Sequence, residues 1–303
     1  MEANSDDTGS SSSQSVHVRL QEQVRSLELS IDVKDFLSAP HLEPIKAKDM
    51  EEAMASLTKA TRSFLVKRHR EFPISSLHLK LYFINTFLCE VGLLVGDTIN
   101  IDQFKLSELI HGTTGIHTLT LDFKGENLWM QPEMKQLCTA LNKLRKLFVR
   151  GIFVEFDILW MMAFLAAAPS IEMLHIEVWE HVCDMDEVSE DFRQRTNFER
   201  RSPQWEMDFD NTNNWVLEEL VFIGFRSLEQ QFTFIRSVLQ RSPNLRKIVL
   251  KGYEECIFCA TPGVPPSKFP KKDEQEMVMR RTRDGLFSPQ IIFDEYSGRR
   301  RRM

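Results

Sequence analysis

Cysteine is scarce in this sequence. Its five residues, Cys89, Cys138, Cys183, Cys256 and Cys259, are too few and too scattered to frame a disulfide-stapled domain. Long apolar runs are missing too. The longest uncharged one, Ile158 to Ala168, is eleven residues, whereas a bilayer-spanning helix needs roughly 18 or more. Residues 1–15, rich in Ser and Asp, offer neither the basic flank nor the apolar segment of a signal peptide, and are expected to be a disordered tail. There is no basic excess: a net charge of −6 gives no reason to expect a nucleic-acid partner. No nucleophile elbow, phosphate-binding glycine loop or H-E-x-x-H zinc motif occurs. These absences predict a reducing compartment, cytoplasmic or nuclear, with no membrane partner and no cofactor. What is present suffices for a sizeable core, since 42% of residues are hydrophobic and 10% are aromatic.

The apolar residues recur in a pattern. Leu144-x-x-Leu147-x-Val149 and Ile171-x-x-Leu174-x-Ile176 start 27 residues apart, separated by the apolar helical segment Asp157–Ala168. Ile116-x-x-Leu119-x-Leu121 precedes them by 28 residues, and Leu217-x-x-Leu220-x-Phe222 and Leu245-x-x-Ile248-x-Leu250 repeat the 28-residue step. Weaker versions begin at Val24, Leu42 and Ile74. A unit of about 20–29 residues that joins L-x-x-L-x-L to a helix is the signature of leucine-rich repeats. The spacing has a physical cause. One strand with one helix cannot close a core, but stacked units can, by pairing strands in parallel and covering one sheet face with helices. The pattern therefore predicts an α/β fold, an irregular leucine-rich-repeat solenoid with a parallel sheet on one face and helices on the other.

The chain divides accordingly. After the tail come N-terminal repeats and a helix over 16–100, the latter placed at 49–66 with Met50, Met54, Leu57 and Leu65 on one face. The repeat array occupies 101–260, with an acidic, Arg- and Asn-rich inserted loop at 180–214. Helices are predicted at Phe104–Ile110, Glu133–Leu141, Asp157–Ala168 and Leu228–Gln240. Asp157 is placed to cap its helix and Pro169 to stop it. A C-terminal helix and strand fill 261–295, and 296–303 is a basic tail. Common repeats put Asn or Cys eight positions after the first Leu. Here those positions hold Tyr82, Lys124, Ile152, Trp179, Phe225 and Tyr253, which predicts wider turns filled by apolar groups.

Several stretches carry a resemblance. They are Gly112-Thr113-Thr114-Gly115-Ile116-His117-Thr118-Leu119, Val154-Glu155-Phe156-Asp157, Ala168-Pro169-Ser170 and Glu177-Val178-Trp179-Glu180-His181. Phe269-Pro270-Lys271-Lys272-Asp273-Glu274-Gln275-Glu276 and Phe287-Ser288-Pro289-Gln290-Ile291-Ile292-Phe293 complete the set. Over about residues 45–295 the chain resembles the plant F-box/leucine-rich-repeat proteins with a C-terminal FBD-type segment, in the form expanded in grasses. The resemblance implies the client-recruiting repeat region of an SCF-type ubiquitin-ligase adaptor, with a protein client as partner. Members of that family usually open with an F-box that docks on the linker subunit of a cullin–RING ligase. Residues 1–48 lack its Leu-Pro-x-Asp opening, so that docking is not expected from them.

Candidate chemistry is sparse. Cys256-x-x-Cys259 has the spacing of half a zinc site, which His181 and Cys183 would complete only if distant loops met; two cysteines in a loop are the plainer reading. A metal-binding or enzymatic protein built on that pair is the alternative function, and a truncated family member without independent function is another. Trp160, Met161, Met162 and Phe164 fit a core better than a ligand groove. Arg299–Arg302 reads as a solvated tail rather than a nuclear address. There remains the sheet face turned away from the helices. Alternation places Thr118, Thr120, Asp122, Lys146, Phe148, Arg150, Met173, His175, Glu177, Glu219, Val221, Ile223, Lys247, Val249 and Lys251 there. Charges of both signs beside exposed apolar groups (Phe148, Met173, Val221, Ile223) suit protein recognition. The predicted partner-binding set is Phe148, Arg150, Met173, His175, Glu177, Val221, Ile223 and Lys251. His175, mid-strand with no nucleophile or orienting acid in view, is read as a recognition residue and not a catalytic one.

Overall fold

An extended chain turns alternate side chains to opposite faces, so the second and third apolar positions of each triplet share one side. The computed structural model describes residues 17–20, 27–36, most of 52–63, 74–80, 106–110, 113, 115–123, 137–154, 158–179, 215–252, 269–282 and 289–295. In it the triplets become the strands of a single nine-stranded sheet. β1 (His17–Leu20) pairs antiparallel with β2 (Leu27–Asp32) at one end. Then come β3 (Ile74–Lys80), β4 (Thr118–Asp122), β5 (Lys146–Phe153) and β6 (Met173–Trp179). β7 (Glu219–Ile223), β8 (Lys247–Lys251) and β9 (Gln290–Asp294) finish the sheet. From β3 onward each strand lies parallel to the one before it, in chain order. The fold is α/β, with eight parallel strands in a sheet that does not close.

Register ties the repeats together. Leu77, Leu119, Leu147, Leu174, Leu220, Ile248 and Ile291 are successive partners along one row. Leu79, Leu121, Val149, Ile176, Phe222, Leu250 and Phe293 form the next. From Leu77 to Ile248 in the first row and from Leu79 to Leu250 in the second, all side chains are fully buried. The leading apolar residue of each triplet, Ile116, Leu144, Ile171 and Leu217, is buried as well. All belong to one continuous core.

Parallel strands need crossovers, and helical segments supply them. α1 (Leu106–Leu109) precedes β4. A 3-10 turn (Leu159–Met161) runs into α2 (Met162–Ala167) between β5 and β6. α3 (Glu229–Arg241) joins β7 to β8, and α4 (Lys272–Thr282) precedes β9. Trp160, Met161, Met162 and Phe164 are buried in the common core, as are Phe232, Phe234, Ile235 and Val238 of α3. Between 52 and 63 the described residues are helical, and the buried ones are Ala53, Leu57 and Thr61, one turn apart.

The backbone repeats as the side chains do. The His117 carbonyl accepts bonds from the Arg145 and Lys146 amides, at 2.9 and 3.0 Å. Arg145 does the same for Glu172 and Met173, Glu172 for Glu218 and Glu219, and Glu218 for Arg246 and Lys247. At the far end of the strands, the Gly224 and Phe225 amides donate to the Lys251 carbonyl, and the Val154 amide to that of Trp179. Turn backbone groups are therefore met by the next strand, not by Asn side chains. Ile152 and Phe225 are buried and Trp179 packs on the core, as expected of apolar turn fillers. Gly151, with φ of 70°, sits where the β5–β6 register shifts between Val149 and Ile152, which marks a bulge.

Two details differ from expectation. The segment before Pro169 does not open as an α-helix, and Asp157, expected to cap it, lies outside the described residues. Its first turn is 3-10, its N-cap position is Ile158, and no side chain caps it. Ile158 and Trp160 at that start are buried in the core. β1 was also not foreseen, because His17-Val18-Arg19-Leu20 carries no apolar triplet. The tail at 1–15, the Leu42 signal, the 124–136 segment, the inserted loop at 180–214 and the tail at 296–303 lie outside the described residues.

Candidate functional site

Strand alternation forces the residues between the buried ones onto the opposite face, where they line up in three rows across β4–β9. The middle row is Thr120, Phe148, His175, Val221, Val249 and Ile292. One flank carries Lys146, Met173, Glu219, Lys247 and Gln290. The other carries Asp122 and Arg150 on β4 and β5, then Glu177, Ile223, Lys251 and Asp294. Phe148, Arg150, Met173, His175, Glu177, Val221, Ile223 and Lys251, read from sequence as a binding set, thus form one patch on four adjacent strands. The structure brings all eight together.

The patch is ordered by its own contacts. The Phe148 and His175 rings lie 5.2 Å apart between centroids, tilted at 41°. The Arg150 guanidinium carbon sits 5.6 Å from the Phe148 ring centroid. Arg150 Nε is 3.9 Å from Glu177 Oε2, and Trp179 Nε1 donates a 2.8 Å hydrogen bond to Glu177 Oε1. Across the flanks, Lys247 Nζ is 2.9 Å from Glu219 Oε1 and Lys251 Nζ is 2.9 Å from Asp294 Oδ2. Over β4–β9 the face holds four cationic side chains (Lys146, Arg150, Lys247, Lys251) and four anionic ones (Asp122, Glu177, Glu219, Asp294). Its charge is balanced, and much of that charge is neutralised in place.

His175 occupies the centre. Its Nε2 is buried without a hydrogen-bond partner. Burial pushes its pKa down to about 4, helped by Arg150 and Lys251 and opposed by Glu219. At neutral pH it is an uncharged ring that continues the row from Phe148 to Val221. The hydroxyls on this face nearest in register are those of Thr118 and Thr120 on β4. They stand two strands from His175, about 10 Å, which is too far for a base to take their protons.

The apolar side chains here are less exposed than alternation suggests. Val221 was expected to be exposed and is buried, at 8%. Val249 and Asp122 are buried as well. A short valine between its row neighbours is covered by them: Val221 lies between His175 and Val249 in register. Phe148, Met173 and Ile223 are half-buried rather than exposed. The face is a closely packed apolar lane with charged borders, not a set of protruding side chains.

Sequence reading missed the last strand's share of this surface. Gln290-x-Ile292-x-Asp294 alternates as the other strands do, and its inward partners Ile291 and Phe293 were visible as an apolar pair. Recognising that pair as one more rung would have placed Ile292 and Asp294 on the face. Cys256, Cys259, His181 and Cys183 lie outside the described residues. Among the described residues no group of three or more His, Cys, Asp or Glu side chains is arranged to hold a metal, and no helix is long and apolar enough to cross a membrane. No family model matches the chain, and no curated protein matches it.

Proposed function

We propose that this chain is an irregular leucine-rich-repeat solenoid that works as a non-enzymatic protein-interaction module, holding a protein client on the sheet face of β5–β9. The observation that carries the reading is the lane Phe148–His175–Val221–Val249–Ile292 between self-paired charges. An apolar centre with a polar rim is the anatomy of a protein-binding patch. Balanced charge disfavours nucleic acid, which demands a cationic surface. The neutral His175, two strands from any hydroxyl on its face, favours recognition over nucleophilic catalysis. The solenoid reading is supported by the strictly sequential parallel strands, the 27–28-residue steps and the repeated carbonyl acceptors. The resemblance to F-box/leucine-rich-repeat proteins adds the kind of client: one presented for ubiquitination.

A photoreactive phenylalanine analogue tests this. Placed at Phe148 it cross-links a client in extracts of the source cells; placed at Gln240, exposed on α3, it does not. The Phe148 adduct is lost when Val221→Asp charges the lane. Equal labelling from both positions, or none from Phe148, removes the proposal. Mixing the purified chain with the linker subunit of a cullin–RING ligase tests the ligase connection separately. A stable complex would make the chain an adaptor in its own right.

A further inference from the structure

The two ends of the sheet are unlike. One end closes on β1, an antiparallel strand bearing His17 and Arg19. Short, charged edges of that kind resist pairing with other chains. The other end is β9, and among the described residues no strand lies beyond it. Its sequence, Gln290-Ile291-Ile292-Phe293-Asp294, is apolar through the middle and rich in residues that favour strands. Ile291 and Phe293 end the two core rows and are only partly buried, where their counterparts on β8, Ile248 and Leu250, are fully so. An edge with these properties is a template for another strand.

We propose that the occupant is a second copy of this chain, paired antiparallel through β9 about a two-fold axis at Ile292. The strand is self-complementary in that register. Ile292 meets its own counterpart, Ile291 meets Phe293 on the core side, and Gln290 meets Asp294, so no like charges oppose each other. A two-fold axis normal to the sheet keeps faces matched, and the core of one copy continues into the core of the other. α4, the last helix, is carried to the same junction. It holds Met277, 47% exposed, one of two large hydrophobic residues exposed by more than a third among those described. The charges of α4 take no part in this, since Arg280 pairs with Glu276 and Arg281 with Glu229 of α3. Strand chemistry and the exposed Met277 point to the same contact. The pairing stands independently of client binding, although it would extend the lane across both copies.

Sedimentation equilibrium of the full chain at micromolar concentration should return twice the chain mass of 35.4 kDa. Ile292→Lys, which sets two ammonium groups on the axis, should halve that mass while the far-UV spectrum stays unchanged. Register is read with a short thiol cross-linker, above the background of the five native cysteines. Ile292→Cys cross-links to its own counterpart. Gln290→Cys alone does not, because its counterpart lies four strand residues away, about 14 Å. Gln290→Cys combined with Asp294→Cys restores the link. A wild-type chain of single mass overturns the proposal, as does a dimer that survives Ile292→Lys or any other cross-linking pattern. If Ile292→Lys fails to fold, the cysteine pattern decides alone.

Discussion

Leu147 and Phe148 are adjacent on β5, and they belong to different regions of the molecule. Leu147 is fully buried in a row whose members from Leu77 to Ile248 are all Leu or Ile. Phe148 is half-buried in a row that changes chemistry at almost every strand: His78, Thr120, Phe148, His175, Val221, Val249. One face repeats because each rung must fit the same slot between two neighbours at close packing. The other face is less tightly enclosed, so its residues vary from strand to strand. Individuality in this protein is confined to one side of the sheet.

The largest effects should fall on the repeating side. Leu147→Ala should cost about 2–5 kcal/mol, since a fully buried leucine leaves both a transfer loss and a cavity. Phe148→Ala on the next residue should cost well below that, about 1 kcal/mol, while abolishing client cross-linking from a probe placed at Met173. Chemical denaturation of the two variants measures the gap. Equal losses would erase the distinction between the faces. Gly224→Ala comes next, at about 3 kcal/mol from a left-handed backbone combined with a clash. Gly224 has φ of +80°, and a Cβ there would clash with the Val178 carbonyl oxygen. A melting temperature unchanged by this substitution would mean that the turn after β7 can yield.

The same asymmetry explains what the sequence disclosed. The core rows were legible because stacking demands apolar residues at fixed spacing, and Leu119, Leu147, Leu174, Leu220 and Ile248 obey it. So was the membership of the face, because alternation is local. The burial of Val221, Val249 and Asp122 was not, since it depends on which side chains stand on neighbouring strands. The 3-10 turn ahead of α2 was hidden for the same reason, since Trp160 and Met161 are buried against residues remote in sequence. β1 escaped because an edge strand needs no core-facing period.

His175 sharpens the comparison from the variable side, with a smaller effect. Its imidazole binds a proton more weakly in the folded chain than in the unfolded one. Stability is therefore complete above the unfolded pKa, about 6.5, and falls as pH drops from there towards 4. With the folded pKa at about 4, the loss between pH 7 and pH 5 is about 2 kcal/mol. His175→Leu should remove that slope while keeping stability at pH 7 nearly unchanged. A slope that persists in the variant would assign it to other groups.

The smallest effects lie where neither the core nor the lane is involved. Arg281 of α4 rests with its guanidinium carbon 4.0 Å from the Phe232 ring centroid and also pairs with Glu229. Glu229 is held below the usual carboxylate range chiefly by its hydrogen bond from Arg236, with Arg281 contributing. Arg145 pairs with Glu172 at 2.7 Å between adjacent repeats, with side chains 59% and 43% exposed. Set against the 4.0 Å ring contact alone, the 2.7 Å ion pair looks the stronger. Solvent reverses the order: a cation over a buried aromatic ring is worth about 1 kcal/mol, whereas an exposed ion pair is screened to roughly 0.2–0.5 kcal/mol. Arg281→Ala should therefore lower stability measurably and Arg145→Ala hardly at all, with 1 M salt abolishing even that small difference. If the Arg145 variant proved the weaker protein, the rim of the sheet and not its core would be joining one repeat to the next.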